Sequence, residues 1–127
     1  MARRRSIYID AFRPSMPIPN GCRVGNILMS GAVIGADPAT GKVPDDIESQ
    51  CKFLFANIKS IVEGAGGTTG DIVKMNVIMP DRKQRPVIND EWLKMFPDEQ
   101  SRPARHTISG PLDEPIKVLC DFMAVID

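Results

Sequence analysis

The last apolar segment, residues 116–126, limits most strongly how this chain can fold. Its alternate residues form two sets, and the first is entirely apolar: Val118, Cys120, Phe122, Ala124 and Ile126. The second set contains Leu119, Met123 and Val125, with the charged Asp121 among them. Side chains along a strand point alternately to the two faces of a sheet, so both faces of this strand need cover. The segment is therefore predicted to be a long strand that is shielded on both sides.

Two predicted helices can cover one of these faces. The clearer helix follows Asp45, a predicted N-cap residue with Glu48 at the spacing of a capping box. Its apolar residues recur at helical spacings: Ile47, Cys51, Leu54, Ile58, Ile61 and Val62. The second helix is predicted from about Pro86 to Phe96, with Trp92 in the core. Since two helices shield only one face of a sheet, we expect another copy of the chain on the other face.

Shorter strands are predicted elsewhere in the chain. They lie at Ser6–Ile9, on both sides of a turn at Arg23–Asn26, at Ile72–Met79 and after Pro103. Along the predicted strand Ile72–Met79, the residues expected on one side are Val73, Met75, Val77 and Met79. Ser30 and Gly31 interrupt the apolar run that follows the turn. A glycine there indicates either a bulge or close approach by a ligand or backbone, or else a simple packing contact.

Length and charge exclude several classes of protein. The 127 residues suffice for a single domain, residues 1–127, in which residues 1–20 form an extended, proline-containing segment. Lysine plus arginine equals aspartate plus glutamate at 16 each, so the net charge is zero. No strong positive field therefore attracts nucleic acid or an anionic membrane. The apolar runs are too short to span a bilayer.

The cysteines and the histidine limit the redox environment and the metal chemistry. Cys22, Cys51 and Cys120 are odd in number and widely spaced, which argues against a disulfide framework or a zinc site. This usage fits a reducing compartment, so we expect the protein to be cytoplasmic. The only histidine is His106, and a histidine-rich metal site is therefore excluded.

The segment from Arg102 to Ser109 contains the first candidate for ligand binding. Pro103 cannot donate a ladder hydrogen bond, so it suits the beginning of a strand better than its middle. Arg105 then lies just inside that strand, on a rigid backbone. A guanidinium held there can bind a planar carboxylate through two parallel hydrogen bonds. An ordinary surface or interface ion pair is the alternative for this arginine.

The order of elements and three short motifs resemble the Rid family of reactive intermediate deaminases, also called the YjgF or L-PSP endoribonuclease family. The motifs are Gly-Lys-Val-Pro at 41–44, Gly-Asp-Ile-Val-Lys at 70–74 and Pro-Ala-Arg at 103–105, and the likeness spans roughly residues 20–126. The resemblance implies an α+β fold of the chorismate-mutase-like kind, with two helices packed on one face of a mixed β-sheet. It also implies a homotrimer with clefts between the subunits.

The resemblance further implies an activity, the hydrolysis of a 2-imino acid or its enamine tautomer to a 2-keto acid and ammonia. In this family the arginine at the position of Arg105 binds the substrate carboxylate, and Asn89, Ser30 and Gly31 match residues that line the cleft. The backbone of Thr107 is expected to face the ligand. The implied partners are a small carboxylate substrate and further copies of the chain, and no metal or organic cofactor is required.

Two positions depart from the family pattern. The family's deaminases usually carry a glutamate on the final strand, and Leu119 stands there in this chain. Asp121, two residues on and so on the same face of the strand, is a candidate for orienting water, as is Glu114 in the preceding loop. A family tyrosine near the start of the cleft is also missing. His106 follows Arg105 directly, so strand alternation directs it to the opposite face.

Three functions remain open at this point. The first is an imine or enamine deaminase, with an aminomuconate-type enamine as one alternative substrate. The second is a binder of small carboxylates without catalytic activity, which Leu119 favours. The third, a ribonuclease, is least favoured because the net charge is zero and aromatic side chains for base stacking are missing near Arg105.

Overall fold

The chain forms seven β-strands and two α-helices, and the computed structural model describes residues 3–127. The strands are β1 (Arg4–Ile7), β2 (Gly21–Val24), β3 (Ile27–Ser30), β4 (Val33–Ile34), β5 (Ile72–Met79), β6 (Ala104–Ser109) and β7 (Leu119–Val125). The helices are α1 (Ile47–Gly64) and α2 (Arg85–Met95). Within residues 3–127, neither helix is long and apolar enough to cross a membrane.

All strands belong to one sheet in the order β1-β2-β3-β7-β5-β6, and β4 pairs with β7 beside β3. The pair β5–β6 is parallel and every other pair is antiparallel. The sheet is therefore mixed, and β6 is its edge strand beside the central β5. The predicted α+β architecture with a mixed sheet is confirmed.

The core lies between the helices and one face of the sheet. The apolar set of the last segment is buried there, as predicted: Val118, Cys120, Phe122, Ala124 and Ile126. The apolar residues of α1 and the side chain of Ile88 from α2 belong to the same cluster. Burial of this continuous apolar surface is the main force that holds the helices on the sheet.

No helix of the described residues lies on the other face of the sheet, which we call the open face. Its exposed apolar residues include Ile27 and Met29 of β3, Val125 of β7 and Ile108 of β6. A polar row crosses the same face, because His106, Asn76 and Asp121 occupy paired positions on β6, β5 and β7. The second set of residues of the last strand (Leu119, Asp121, Met123 and Val125) lies on this open face, so no helix of residues 3–127 covers it within one chain.

Several predicted boundaries were wrong, and hydrogen bonds explain them. The N-cap of α1 is Asp46 rather than Asp45, because the Asp46 carboxylate accepts from the Ser49 amide at 2.9 Å. Strand β7 begins at Leu119 rather than at residue 116, since the Lys117 amide donates to the Oε1 atom of Gln50 instead of to the sheet. Strand β1 ends at Ile7 rather than Ile9, whose amide donates to Asn20 Oδ1.

The expected environments of two apolar residues were also wrong. Val73 is exposed because a register shift in β5 between Ile72 and Lys74 turns it away from the core, and Ile72 is buried instead. Trp92 is only half-buried, because it packs at the margin of the core, against Phe96 and the Arg105 guanidinium.

The interruption at Ser30 and Gly31 is a break between β3 and β4, which both pair with β7. The Ser30 hydroxyl bridges the break, accepting from the Phe122 amide at 2.9 Å and donating to the Gly31 carbonyl at 2.8 Å. The Gly31 amide donates to the Asn20 carbonyl at 3.0 Å. A side chain therefore supplies the ladder hydrogen bond where the backbone leaves the strand.

Candidate functional site

Arg105 is the second residue of β6 and follows the strand's start after Pro103, as the sequence predicts. One guanidinium nitrogen, Nη2, donates to Asn89 Oδ1 at 2.8 Å. The central carbon of the guanidinium lies 4.9 Å from the centre of the Trp92 ring. The second terminal nitrogen, Nη1, is buried and has no hydrogen-bond partner among the described residues. A buried donor without a partner is costly, so this nitrogen is a hydrogen-bonding group that the described residues leave unsatisfied.

The electrostatic environment of Arg105 is that of an unpaired cation. Burial lowers the pKa of the Arg105 guanidinium, and the nearby charge of Arg85 lowers that pKa further. An arginine nevertheless stays protonated in proteins, because its ordinary pKa is so high. In residues 3–127 the ion pairs are Arg13 with Asp10 and Lys94 with Glu91, so Arg105 has no carboxylate partner there. The arrangement can therefore bind an anion.

Helix α2 supplies both neighbours of this guanidinium. Asn89 and Trp92 are three residues apart, so they lie on the same side of the helix. Trp92 packs edge to face on Phe96, with ring centres 4.9 Å apart and an interplanar angle of 64°. Phe96 is buried in the core. The core thus fixes the indole, and the indole and Asn89 together fix the orientation of the guanidinium.

A shallow surface groove opens beside Arg105, and we call it the basic groove. It has a volume of about 360 Å³ and is lined by Arg82, Lys83, Arg85, Pro86, Asn89 and Arg105. The first three of these residues were not among the predicted binding residues. Three cations within four residues, directly before a predicted helix, were a signal that could have identified them.

The other candidate binding residues lie apart from Arg105. Thr107 is buried two residues along β6, on the same face of the sheet. Ser30 of β3 lies opposite Phe122 of β7. Phe122 pairs with Met75 of β5, and Met75 pairs in turn with Arg105 of β6. Three strand spacings therefore separate Ser30 from Arg105, or about 14 Å. One small ligand cannot contact both of these residues within a single chain.

The two candidates for orienting water form no ion pair with the guanidinium within residues 3–127. Asp121 lies on the open face and accepts a hydrogen bond from Asn76 Nδ2 at 2.9 Å, whereas Arg105 lies on the helix face. Leu119 pairs with Ile34 and Ile78 on the same strand as Asp121. Glu114 is exposed in the loop between β6 and β7. The chain therefore unites Arg105 with Asn89 but not with either carboxylate.

Comparisons with known proteins agree with this fold. The chain is 32% identical over 111 residues to the 2-iminobutanoate/2-iminopropanoate deaminase of Escherichia coli K12, covering 86% of this chain and 87% of that protein. The structure of E. coli TdcF with bound serine matches with a TM-score of 0.86 at 27% identity, covering 97% of this chain and 99% of that one.

A second solved structure and a family model complete the comparison. RidA from the Antarctic bacterium Psychrobacter sp. matches with a TM-score of 0.87 at 27% identity, covering 96% of this chain and 99% of that one. The family model described as endoribonuclease L-PSP matches residues 9–117, which include Arg105, Asn89 and the Ser30–Gly31 break. The chain therefore belongs to the endoribonuclease L-PSP family, which is also called the Rid or YjgF family.

Proposed function

We propose that the protein hydrolyses 2-imino acids, or their enamine tautomers, to 2-keto acids and ammonia. The observation that carries this proposal is the buried Nη1 atom of Arg105, which has no partner among the described residues. A carboxylate that bridges the guanidinium would satisfy it through a charge-assisted hydrogen bond. The relative from E. coli named 2-iminobutanoate/2-iminopropanoate deaminase, at 32% identity, supports the same activity.

The hydrolysis of an imine requires few catalytic groups from the protein. The carbon of a protonated imine is already electrophilic, and a water molecule adds to it to give a tetrahedral amino alcohol. Transfer of a proton to the nitrogen then expels ammonia, and the keto group forms as the C–N bond breaks. Arg105 would hold the carboxylate next to the reacting carbon, which fixes the orientation of the substrate.

The active site would be shared between subunits of a homotrimer. Ser30 and Gly31 lie about 14 Å from Arg105 along the sheet, so they can complete the cleft only from a second copy. The open face, with Met29 and Val125 exposed, offers the apolar surface on which copies can associate. Thr107 and Asn89 would then belong to one side of the cleft, and Ser30 and Gly31 to the other.

Orientation of the attacking water would fall to Asp121 or Glu114. Asp121 shares its face of β7 with Leu119, the position of the family glutamate, and its carboxylate keeps one oxygen beyond the bond to Asn76. Glu114 is exposed and lies at the end of the sheet near the start of β7. Neither carboxylate pairs with Arg105 within residues 3–127, so we expect the one that acts to approach the substrate from a neighbouring subunit.

A non-catalytic carboxylate-binding protein is the second candidate. Leu119 favours it, because an aliphatic side chain cannot accept a proton from water. Under this alternative Arg105 would bind 2-keto acids, and no imine would be consumed faster than in buffer.

Ammonia release from freshly formed 2-iminopropanoate separates the two candidates. The imine would be generated from alanine by an amino acid oxidase, with and without the protein. We expect faster release with wild-type protein and the buffer rate with Arg105→Ala. Buffer rates with wild-type protein that still binds pyruvate would establish the binding protein instead. If the protein neither speeds ammonia release nor binds pyruvate but cleaves a single-stranded RNA, the ribonuclease function would be supported instead.

A further inference from the structure

The basic groove holds more positive charge than one carboxylate requires. Four of its six lining residues are cations, namely Arg82, Lys83, Arg85 and Arg105, and none is acidic. A single carboxylate is satisfied by the two-point contact of one guanidinium. The remaining three cations are therefore surplus to the binding of a monocarboxylic acid.

Carboxylates of the described part of the chain do not pair with these cations. The ion pairs in residues 3–127 involve Arg13 and Lys94, and none of the groove's cations takes part. The two nearest acids in sequence are Asp81 and Asp90. The Asp81 carboxylate accepts from the Lys83 amide at 2.9 Å, which caps the short helical turn at 82–84. Asp90 is exposed and does not line the groove.

The position of the cations is unfavourable for folding. Helix α2 begins at Arg85, has no acidic residue in its first turn and lacks a side-chain cap at Gln84. The N-terminal end of a helix carries partial positive charge, so cations placed there lower its stability and anions raise it. The like charge of Arg85 is also felt at Arg105. A bound anion would relieve both repulsions.

We infer that the substrate held at Arg105 carries a second anionic group, which Arg82, Lys83 and Arg85 bind. The inference rests on the proposed function, in which Arg105 holds the carboxylate beside the reacting carbon. The second group would be a carboxylate or a phosphate at the other end of a short chain. A groove of about 360 Å³ has room for such a molecule, because it falls within the usual size range of ligand pockets.

The natural probes are stable 2-keto acids, the products of the proposed reaction. Pyruvate has one anionic group, 2-oxoglutarate adds a second carboxylate, and phosphonopyruvate adds a phosphonate. Titration calorimetry would measure the affinity of each for wild-type protein. We expect the dianions to bind at least about tenfold more tightly than pyruvate, because several exposed charge pairs together contribute that much. The tighter of the two dianions identifies the second group.

A triple variant tests which residues cause the preference. Arg82→Gln, Lys83→Gln and Arg85→Gln together remove three charges and keep polar side chains of similar length. We expect this variant to bind 2-oxoglutarate or phosphonopyruvate about tenfold more weakly and to bind pyruvate within about threefold of wild type. The matched control removes three charges elsewhere through Lys52→Gln, Lys59→Gln and Arg13→Gln, and should keep the preference for dianions. Both variants need checking for the wild-type oligomer.

The outcomes separate this inference from the proposed function. Equal affinities for pyruvate and both dianions in wild-type protein would overturn the second anionic group and leave the deaminase proposal intact. Equal losses for all three ligands in the triple variant, or the same loss in the control variant, would also overturn it. If no keto acid binds in a way that depends on Arg105, the proposed function itself fails.

Discussion

The guanidinium of Arg105 lies over the indole of Trp92, with its central carbon 4.9 Å from the ring centre. The contact joins the edge strand β6 to helix α2, and Asn89, in the turn of α2 that precedes Trp92, also binds the guanidinium. A cation over an aromatic face is attracted by the ring's quadrupole, more strongly where water is excluded. The pair therefore fixes the arginine without using a carboxylate, and this leaves its charge available to a ligand.

Replacement of Arg105 should remove ligand binding and leave the fold intact. Arg105→Ala should weaken pyruvate binding about tenfold or more, because each lost charge-assisted hydrogen bond contributes about 1.5–3 kcal/mol. Arg105→Lys should recover only part of the affinity, since an ammonium keeps the charge without the planar fork. Calorimetric titration, with light scattering to check the oligomer, measures both. A variant with the wild-type oligomer and wild-type affinity would disprove the site, whereas a dissociated variant would indicate an interface ion pair.

Asn89→Asp should block the site through a change of one atom. The new carboxylate would lie at hydrogen-bond distance from Arg105 Nη2, where the Asn89 oxygen now accepts at 2.8 Å. It would pair with the guanidinium and repel a second carboxylate, so pyruvate affinity should fall about tenfold while the melting temperature stays the same or rises. Asn26→Asp in the turn between β2 and β3 is the control, because it adds the same charge away from the site. If Asn89→Asp binds pyruvate with wild-type affinity, the carboxylate of pyruvate does not bind beside Asn89 and Arg105.

Trp92→Ala should affect stability and binding together. The ring is half-buried, so its removal should cost about 2 kcal/mol of unfolding free energy, less than for a fully buried tryptophan. Loss of the ring also frees the guanidinium, and pyruvate affinity should decrease. Urea unfolding and calorimetry measure the two effects. Leu93→Ala, at a neighbouring position that is 51% exposed, should change neither by much. A stable Trp92→Ala protein with wild-type affinity would show that the indole does not position Arg105.

The fold was largely predictable because its signals are local and periodic. The helical spacing of Ile47, Cys51 and Leu54 and the alternation around Phe122 each report which side of an element is buried. The misplaced start of β7 has another cause. Gln50 lies in α1, yet its side chain accepts from Lys117 and donates to the carbonyls of Pro44 and Pro115. Such contacts between distant segments set where a strand begins, and no periodicity in the sequence reports them.

The candidate site was predictable only in part, for a similar reason. Arg105 stood out through the proline before it and through the family motif. The structure adds the contact with Asn89 and the buried Nη1 atom, which has no partner among the described residues. The groove's basic segment was not selected, because a run of exposed cations usually indicates only a solvated surface. Its meaning depends on β6 and the start of α2 being neighbours in space. The sequence could not show whether Ser30 and Asp121 lie near Arg105 in space, and within one chain they do not.

The buried thiols give a test of the core that does not depend on the site. Cys51 and Cys120 are fully buried, and burial raises the pKa of Cys51 to about 12 and also raises the pKa of Cys120. A thiol reacts as its thiolate, so at pH 8 neither should react with an alkylating reagent while the chain is folded. Mass spectrometry should therefore find at most one modified cysteine per folded chain and three after unfolding in urea. Rapid labelling of Cys51 or Cys120 would show that this part of the core opens.

The same thiols should make stability fall in alkaline solution. Above about pH 8.5 a cysteine in the unfolded chain loses its proton, whereas the folded thiols keep theirs up to their raised pKa values. The unfolded state then binds fewer protons than the folded state, so unfolding free energy decreases as pH rises from about 8.5 toward 12. A variant with Cys51→Ala and Cys120→Ala should be less stable at pH 7, because small cavities form, but should lose less stability between pH 8 and pH 10. Urea unfolding at both pH values measures that difference, and parallel losses in variant and wild type would assign the alkaline sensitivity to other groups.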